Sequence, residues 1–368
     1  MTFASLVCAL APGASTAEPA VDLYIGTYTS SNGSRGIYQA RLDTDSGFLS
    51  KPELAAEAVG PSFLALHPNG KFLYAVHEPT EGEVSAYEIG SDRKLKRLNT
   101  ETGRGGAPCH LSVDREGRYL FTAHYTGGNV ACFPIRPDGT IGAPTAVVRN
   151  VGNGPDKRRQ EGPHLHAIYP EAQGRFVYAC DLGTDEVLVY RFDPERGTLI
   201  PSEAGPGKTP PGGGPRHLAL HPNGRRVYVN NEMLNSVSVF ARDPVSGGLT
   251  ETQTIGTLPP GTKTQGKSTA EIALHPNGRW LYVSNRGHDS IAVFEVAGDG
   301  TLSVSEIFSL PVAEPRGFAI DPSGRWIVVG GQRSHDLTSL RIDPETGRLS
   351  AGPNKVSVGT PVCVVFVR

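Results

Sequence analysis

Patterned cysteine is missing from this sequence. Five cysteines occur in 368 residues. Cys8 lies in an N-terminal apolar stretch, and Cys109, Cys132, Cys180 and Cys363 each stand alone in an apolar run. No two have the spacing of a metal-ligand pair, so buried thiols are expected rather than bridges or ligands. Charge of one sign is missing too. The chain carries 35 Lys and Arg against 37 Asp and Glu, and no basic run exceeds the "DKRRQE" of residues 156–161. That balance argues against a nucleic-acid partner. No apolar run approaches the ~20 residues of a membrane span. Helical 3.6-residue periodicity is absent throughout. So is a G-x-S-x-G elbow, which argues against a covalent nucleophile.

Residues 1–20 stand apart from the rest. "MTFASLVCALAPGASTAEPA" has a short apolar run followed by small residues, and Ser15-Thr16-Ala17 resembles a cleavage site. The basic residues that usually open a leader are missing. Export, to a periplasm for example, is the expectation. A cytoplasmic protein whose N-terminus is disordered or extends a strand is the alternative.

What the chain has in quantity is turns: 45 Gly and 30 Pro, spread evenly among apolar runs. The turns belong to a repeat. The Gly of "HPNG" recurs in the same context at Gly70, Gly117, Gly174, Gly224, Gly278 and Gly324, at spacings of 47, 57, 50, 54 and 46 residues. Each unit holds a short apolar run, a tight turn, an alternating aromatic/aliphatic strand, a third strand such as "SVSVFAR", and a Leu-led fourth strand. Four short strands per roughly 50 residues are the signature of a β-propeller blade. Six anchors suggest six blades, but the ends supply a seventh. "VDLYIGTYTSSNGSRGIYQARL" (21–42) lacks a first strand, and "TPVCVVFVR" (360–368) is a first strand with nothing after it. An all-β, seven-bladed propeller over residues 21–368, with one blade closed by both chain ends, is therefore expected. A ring with unclosed ends is the alternative.

Antiparallel geometry then picks out positions. If the anchor Gly marks the bottom turn between first and second strands, residues eight before and eight after it lie at the top, near the axis. Eight before are Ser62, Cys109, His166, Arg216, Ala270 and Arg316; eight after are Glu78, Tyr125, Leu182, Glu232, Arg286 and Gln332. One position earlier on the second strand stand Asp181, Asn231 and Asn285. The bottom turns stay alike, whereas the top slots diverge into ionisable types, as a binding site requires. His166, Arg216, Glu232, Arg286 and Arg316 suit an anionic, oxygen-rich ligand. Arg forks bind carboxylate or phosphate and can stabilise an oxyanion, and His or Glu can act as general base. Asp181, Asn231 and Asn285 are candidate substrate contacts. With Glu78 and Glu232 they could also hold Ca²⁺, but the adjacent arginines would repel a cation. An inter-blade ion pair is the plain alternative for Glu232 and Arg286. His164, in "GPHLHAIYP", is either a loop-ordering residue or a substrate contact. His67, His221 and His275 belong to structural turns, and His110 and His217 are expected to pack between blades.

"IGTYT", "GNGPDKRRQEGPHLHAIYP", "GPRHLALHPNGRRVYVNNE" and "ALHPNGRWLYVSNRGHDSIAVF" together resemble the seven-bladed propeller lactonase family, which includes propeller-type 6-phosphogluconolactonase and carboxy-cis,cis-muconate cyclase. The resemblance covers nearly the whole chain after residue 20. It implies a lactone site at the channel mouth that needs no metal or cofactor, built from His166, Arg216, Glu232 and Arg286. Hydrolysis of 6-phosphoglucono-1,5-lactone is the default activity it implies, with a small, anionic lactone as the partner. An exported lactonase for an unphosphorylated lactone, a muconate-type cycloisomerase and a non-catalytic binding platform are the alternatives.

Overall fold

The structure, a computed structural model, describes residues 20–30 and 33–367. The leader-like segment up to residue 19 lies outside the described residues. Every regular element described is a strand, and the strands form seven antiparallel sheets in sequence order. Six sheets have four strands, and one gains a short fifth at Gly207–Lys208. In blade 1 the innermost strand, Pro361–Phe366, comes from the end of the chain and pairs with Ala20–Thr27 from its beginning. Blades 2 to 7 follow in order, with inner strands Leu64–Leu66, Pro108–Val113, Leu165–Pro170, Pro215–Leu220, Ser268–Leu274 and Pro315–Ile320.

Second strands such as Phe176–Asp181 and Trp326–Gly331 are buried at every residue, because a blade packs on both faces. Outer strands such as Leu349–Ser357 alternate toward solvent. The core is correspondingly split into seven apolar clusters, each drawn from two neighbouring blades. Tyr228, Val237 and Val239 of blade 5 meet Ile272, Leu281 and Phe294 of blade 6, for example. Polar stitches run along the same seams. The Tyr74, Tyr178, Tyr228 and Tyr282 hydroxyls donate to the carbonyls of Gly139, Gly247, Gly300 and Gly347 in the next blade, at 2.9–3.2 Å. At the bottom, the His67 and His275 rings meet the anchor carbonyls Gly117 O and Gly324 O of the next blade at 2.9 and 2.8 Å. These turn histidines are structural.

One irregularity is repeated. Between Pro108 and His110, Leu165 and Ala167, Pro215 and His217, Thr269 and Ile272, and Pro315 and Gly317, the register of the inner strand slips against the second strand. The residues left over are Cys109, His166, Arg216, Ala270 with Glu271, and Arg316. A bulge of this kind bends the strand and re-aims a side chain. Here it falls at the slot eight before the anchor in five consecutive blades.

Candidate active site

Glu232 follows the second strand of blade 5, and its backbone N–H is held by Gly214 O at 2.8 Å. Its carboxylate is almost wholly buried and meets three guanidiniums. Oε1 accepts from Arg159 Nη2 at 2.8 Å, while Oε2 lies 3.1 Å from Arg216 Nε and 3.2 Å from Arg286 Nη2. Burial alone would raise the Glu232 pKa, but Arg286, Arg216 and Arg159 outweigh it and hold the group at about 2. The same burial, together with Arg316 and Arg286, lowers Arg216 to about 10, which still leaves it cationic at neutral pH.

A cavity of about 270 Å³ opens beside this cluster, lined by Glu78, Cys109, Tyr125, Arg159, His166, Glu232, Arg286 and Arg316. On the far side Tyr28 donates its hydroxyl to both Glu78 carboxylate oxygens, at 2.9 and 2.8 Å. The Arg316 guanidinium lies 5.3 Å from the centroid of the Tyr28 ring and finds no hydrogen-bond acceptor among the described residues. His166 Nδ1 and Arg286 Nε are buried without a hydrogen bond, while Arg216 Nε has the Glu232 carboxylate as its ion-pair partner. His166 is held neutral by burial first, then by Arg216, His217, Arg316 and Arg286, all of which oppose an imidazolium. The Cys109 thiol contacts the carbonyls of Leu165 and His166, and burial pushes it up, away from thiolate. No group of His, Cys, Asp and Glu among the described residues could hold a metal ion.

The structure brings His166, Arg216, Glu232, Arg286 and Arg316 together, although Arg216 stands behind Glu232 rather than in the cavity wall. It corrects three other readings and, for His164, fits the loop-ordering alternative. Asp181 is fully buried and accepts the His164 and Gly183 amides at 2.7 and 2.9 Å and the Asn150 side chain at 2.7 Å. Asn231 donates to Ser236 and Ser238 inside blade 5. Asn285 donates to Thr257 O and accepts from Thr257 Oγ1. Strand alternation turns these three away from the axis, so none faces the cavity. His164 stacks on Tyr125 at 4.4 Å, bonds Tyr125 O and Glu161, and orders the loop.

His110 and His217 pack between blades, as expected: His110 meets Phe63 of blade 2 and Tyr169 of blade 4, and His217 meets Glu271 of blade 6. With Phe63 and Tyr169 they form a ring-on-ring floor across the axis, at centroid separations of 4.3–5.6 Å. The bulge breaks alternation at the preceding residue, so the next side chain also faces inward.

Arg159 escaped the repeat count. It sits in the loop between blades 3 and 4, where "DKRRQE" drew attention only as a basic run. The signal was the 57-residue spacing, the longest in the series. Gln160 pins this loop from within, donating to Leu182 O and Asp185 at 2.9 and 2.7 Å. Arg159 is thereby carried over the cavity mouth, where Tyr125 accepts from it at 3.2 Å.

A closed seven-bladed ring with a guanidinium-rich cavity at one mouth defines a propeller of the lactonase class. The chain matches the family described as "Lactonase, 7-bladed beta-propeller" over residues 22–366, and it belongs to that family. Among its relatives, a 6-phosphogluconolactonase of Bacillus subtilis strain 168 is 38% identical over 347 residues, covering 94% of this chain and 97% of that one. A 6-phosphogluconolactonase of Formosa agariphila is 30% identical, covering 91% and 96%. The solved structure of the periplasmic gluconolactonase of Pseudomonas aeruginosa superposes with a TM-score of 0.88 at 32% identity, covering 95% of this chain and 99% of that one.

Proposed function

We propose that this protein hydrolyses a sugar lactone, 6-phosphoglucono-1,5-lactone, to the aldonate. The observation that carries the reading is the cavity itself. It sets one neutral imidazole, His166, among three guanidiniums, Arg159, Arg286 and Arg316. Water is activated by His166 Nε2, since Nδ1 is shut away from the cavity. Glu232 cannot serve as that base, because it is held at about 2 and both its oxygens are occupied by guanidiniums. Its work is to fix the arginines. The hydroxide adds to the lactone carbonyl, and the resulting oxyanion is met by the Arg286 N–H groups. The ring C–O bond then breaks, and His166 returns its proton to the departing oxygen. Arg316 and Arg159 supply positive charge for the anionic end of the substrate. An unphosphorylated sugar lactone is the second reading, favoured by the likeness to the P. aeruginosa periplasmic gluconolactonase.

The test is hydrolysis of both lactones side by side, with EDTA present, spontaneous hydrolysis subtracted, and Arg286→Ala as control. Turnover of the phosphorylated lactone that disappears in the variant supports the first reading. Turnover of the neutral lactone alone transfers it to the second. No turnover of either overturns both.

A further inference from the structure

Beneath the cavity lies a second set of polar groups that the chemistry above does not use. His217 is buried in the floor, next to the bulged Arg216, and Glu271 is the bulged residue of blade 6. His217 Nδ1 is 2.9 Å from Glu271 Oε1. Its other nitrogen, Nε2, is 3.3 Å from Arg216 Nη1. Glu271 Oε1 also accepts the Ile272 amide at 3.0 Å.

Guanidinium has donors and no acceptor. The Arg216–His217 contact is therefore a hydrogen bond only when Nε2 carries a lone pair. The ring hydrogen must then sit on Nδ1, where it points at Glu271. The chain of contacts has one consistent direction: Arg216 donates to His217, and His217 donates to Glu271. Arg216 also donates from Nη1 to Ala270 O, and its Nε faces Glu232. We propose that Glu271 and His217 form a positioning relay in which the carboxylate fixes the His217 tautomer and His217 fixes the Arg216 guanidinium, and with it Glu232. This rests on the reading of Arg216 and Glu232 as parts of the hydrolytic site.

The relay has a proton-dependent side. Glu271 faces Arg216 and His217 from blade 5, His110 from blade 3, Tyr169 from blade 4, Arg316 from blade 7 and Cys363 from blade 1. Burial raises its carboxyl to about 7, against the pull of Arg216, the Ile272 amide, His110 and Arg316. His217 is held neutral by burial and by Arg216 and Arg316. A protonated Glu271 carboxyl donates its O–H to Nδ1 only in the other ring tautomer, in which the one ring hydrogen sits on Nε2, so protonation of the carboxylate favours that tautomer. Two donors then face each other across the Arg216 contact. Hydrolysis should rise with pH as the carboxylate forms.

The experiment is kcat and KM for lactone hydrolysis from about pH 5.5 to 9, for wild type, Glu271→Gln, His217→Phe, Arg216→Ala, Arg216→Lys and the Arg216→Lys/Glu271→Gln double variant, with melting temperatures alongside. Gln at 271 keeps an acceptor for Nδ1–H but cannot titrate, so that variant should stay active near pH 8 and lose the acid limb. His217→Phe keeps the ring packing and should lower kcat by about tenfold to a hundredfold, the range that a misplacement of about 1 Å costs. Glu271→Gln should add little in the Arg216→Lys background, because the two residues act as one unit. An unchanged acid limb in Glu271→Gln overturns the relay, and so does wild-type kcat in a folded His217→Phe. If His217→Phe does not fold, the Glu271→Gln profile decides alone. Full activity in Arg216→Ala would instead bring down the site reading, so the two failures are distinguishable.

Discussion

At the scale of single residues, the site works through geometry that charge alone does not supply. Arg286 gives Glu232 and Thr269 O its Nη2 and leaves Nε buried without a partner. Lysine at 286 would keep the charge and lose the fork. Arg286→Lys should therefore lower kcat/KM by roughly tenfold to a thousandfold, the cost of removing a well-placed oxyanion donor; a wild-type rate would remove Arg286 from the chemistry. Glu232 invites a different measurement. Its folded pKa is depressed from the ordinary 4.5 to about 2. A depressed carboxyl contributes stability that is present above its unfolded pKa and is lost as pH falls through the folded value. The stability gap between wild type and Glu232→Gln should thus narrow between about pH 5 and pH 2, read by denaturant unfolding at each pH. A gap independent of pH would mean that the three guanidiniums do not hold the carboxylate. Counting eight residues either way from the anchor located Glu232, Arg286, His166, Arg216 and Arg316, because a repeat fixes the height of a residue on its strand. The count was silent on Arg159, which belongs to a loop outside the repeat. It misplaced Asp181, Asn231 and Asn285, since height on a strand says nothing about which face a side chain takes.

At the scale of strands and turns, each blade docks on the next through one contact type. The residue two past the anchor Gly packs over a turn glycine of the following blade: Phe72 on Gly139, Phe176 on Gly247, Trp280 on Gly347, Trp326 on Gly47. At Gly347 φ is +68°, and an added Cβ would sit 2.4 Å from Trp280. Both the left-handed backbone and the indole exclude a side chain there. Gly347→Ala should cost about 1–3 kcal/mol for overpacking, with the φ penalty of roughly 1 kcal/mol added. Thermal unfolding reads this directly. Lactone hydrolysis per folded molecule should not change, because the turn is not part of the cavity. A melting temperature equal to wild type would mean that the seam is loosely packed. The turns at Gly247 and Gly347 read D-P-x-x-G in the sequence, but nothing there marks their partners, which lie one blade away. That His110 and His217 also meet each other across the axis was hidden for a related reason: a bulge has no sequence mark here.

At the scale of the whole molecule, the ring depends on a strand taken from the far end of the chain. The half-repeats at residues 21–42 and 360–368 made this closure legible in the sequence, since each lacked what the other had. Pro361–Phe366 fills the inner position of blade 1 and buries Val362, Cys363, Val364 and Phe366. Four apolar side chains at about 1.5–3 kcal/mol each are worth ~6–12 kcal/mol, comparable with the ~5–15 kcal/mol that holds an ordinary domain together. Deleting residues 360–368 should therefore abolish the fold rather than soften it. It would also leave the Ala20–Thr27 strand with a bare edge that invites aggregation. Circular dichroism melting and size-exclusion chromatography would register both effects. A permuted chain separates the two explanations for such a loss. Joining residue 367 to residue 20 by a short linker, and opening the chain at the exposed Val245 turn, keeps every strand but moves the ends. Leu23 already pairs with Phe366, so the linker spans a short gap. If the ring needs the strand and not the position of the chain ends, the permutant should melt near the wild-type temperature and hydrolyse lactone at the wild-type rate. A permutant that folds while the deletion fails assigns the stability to closure. If the permutant fails alongside the deletion, the wild-type position of the chain ends must itself be needed to form the ring.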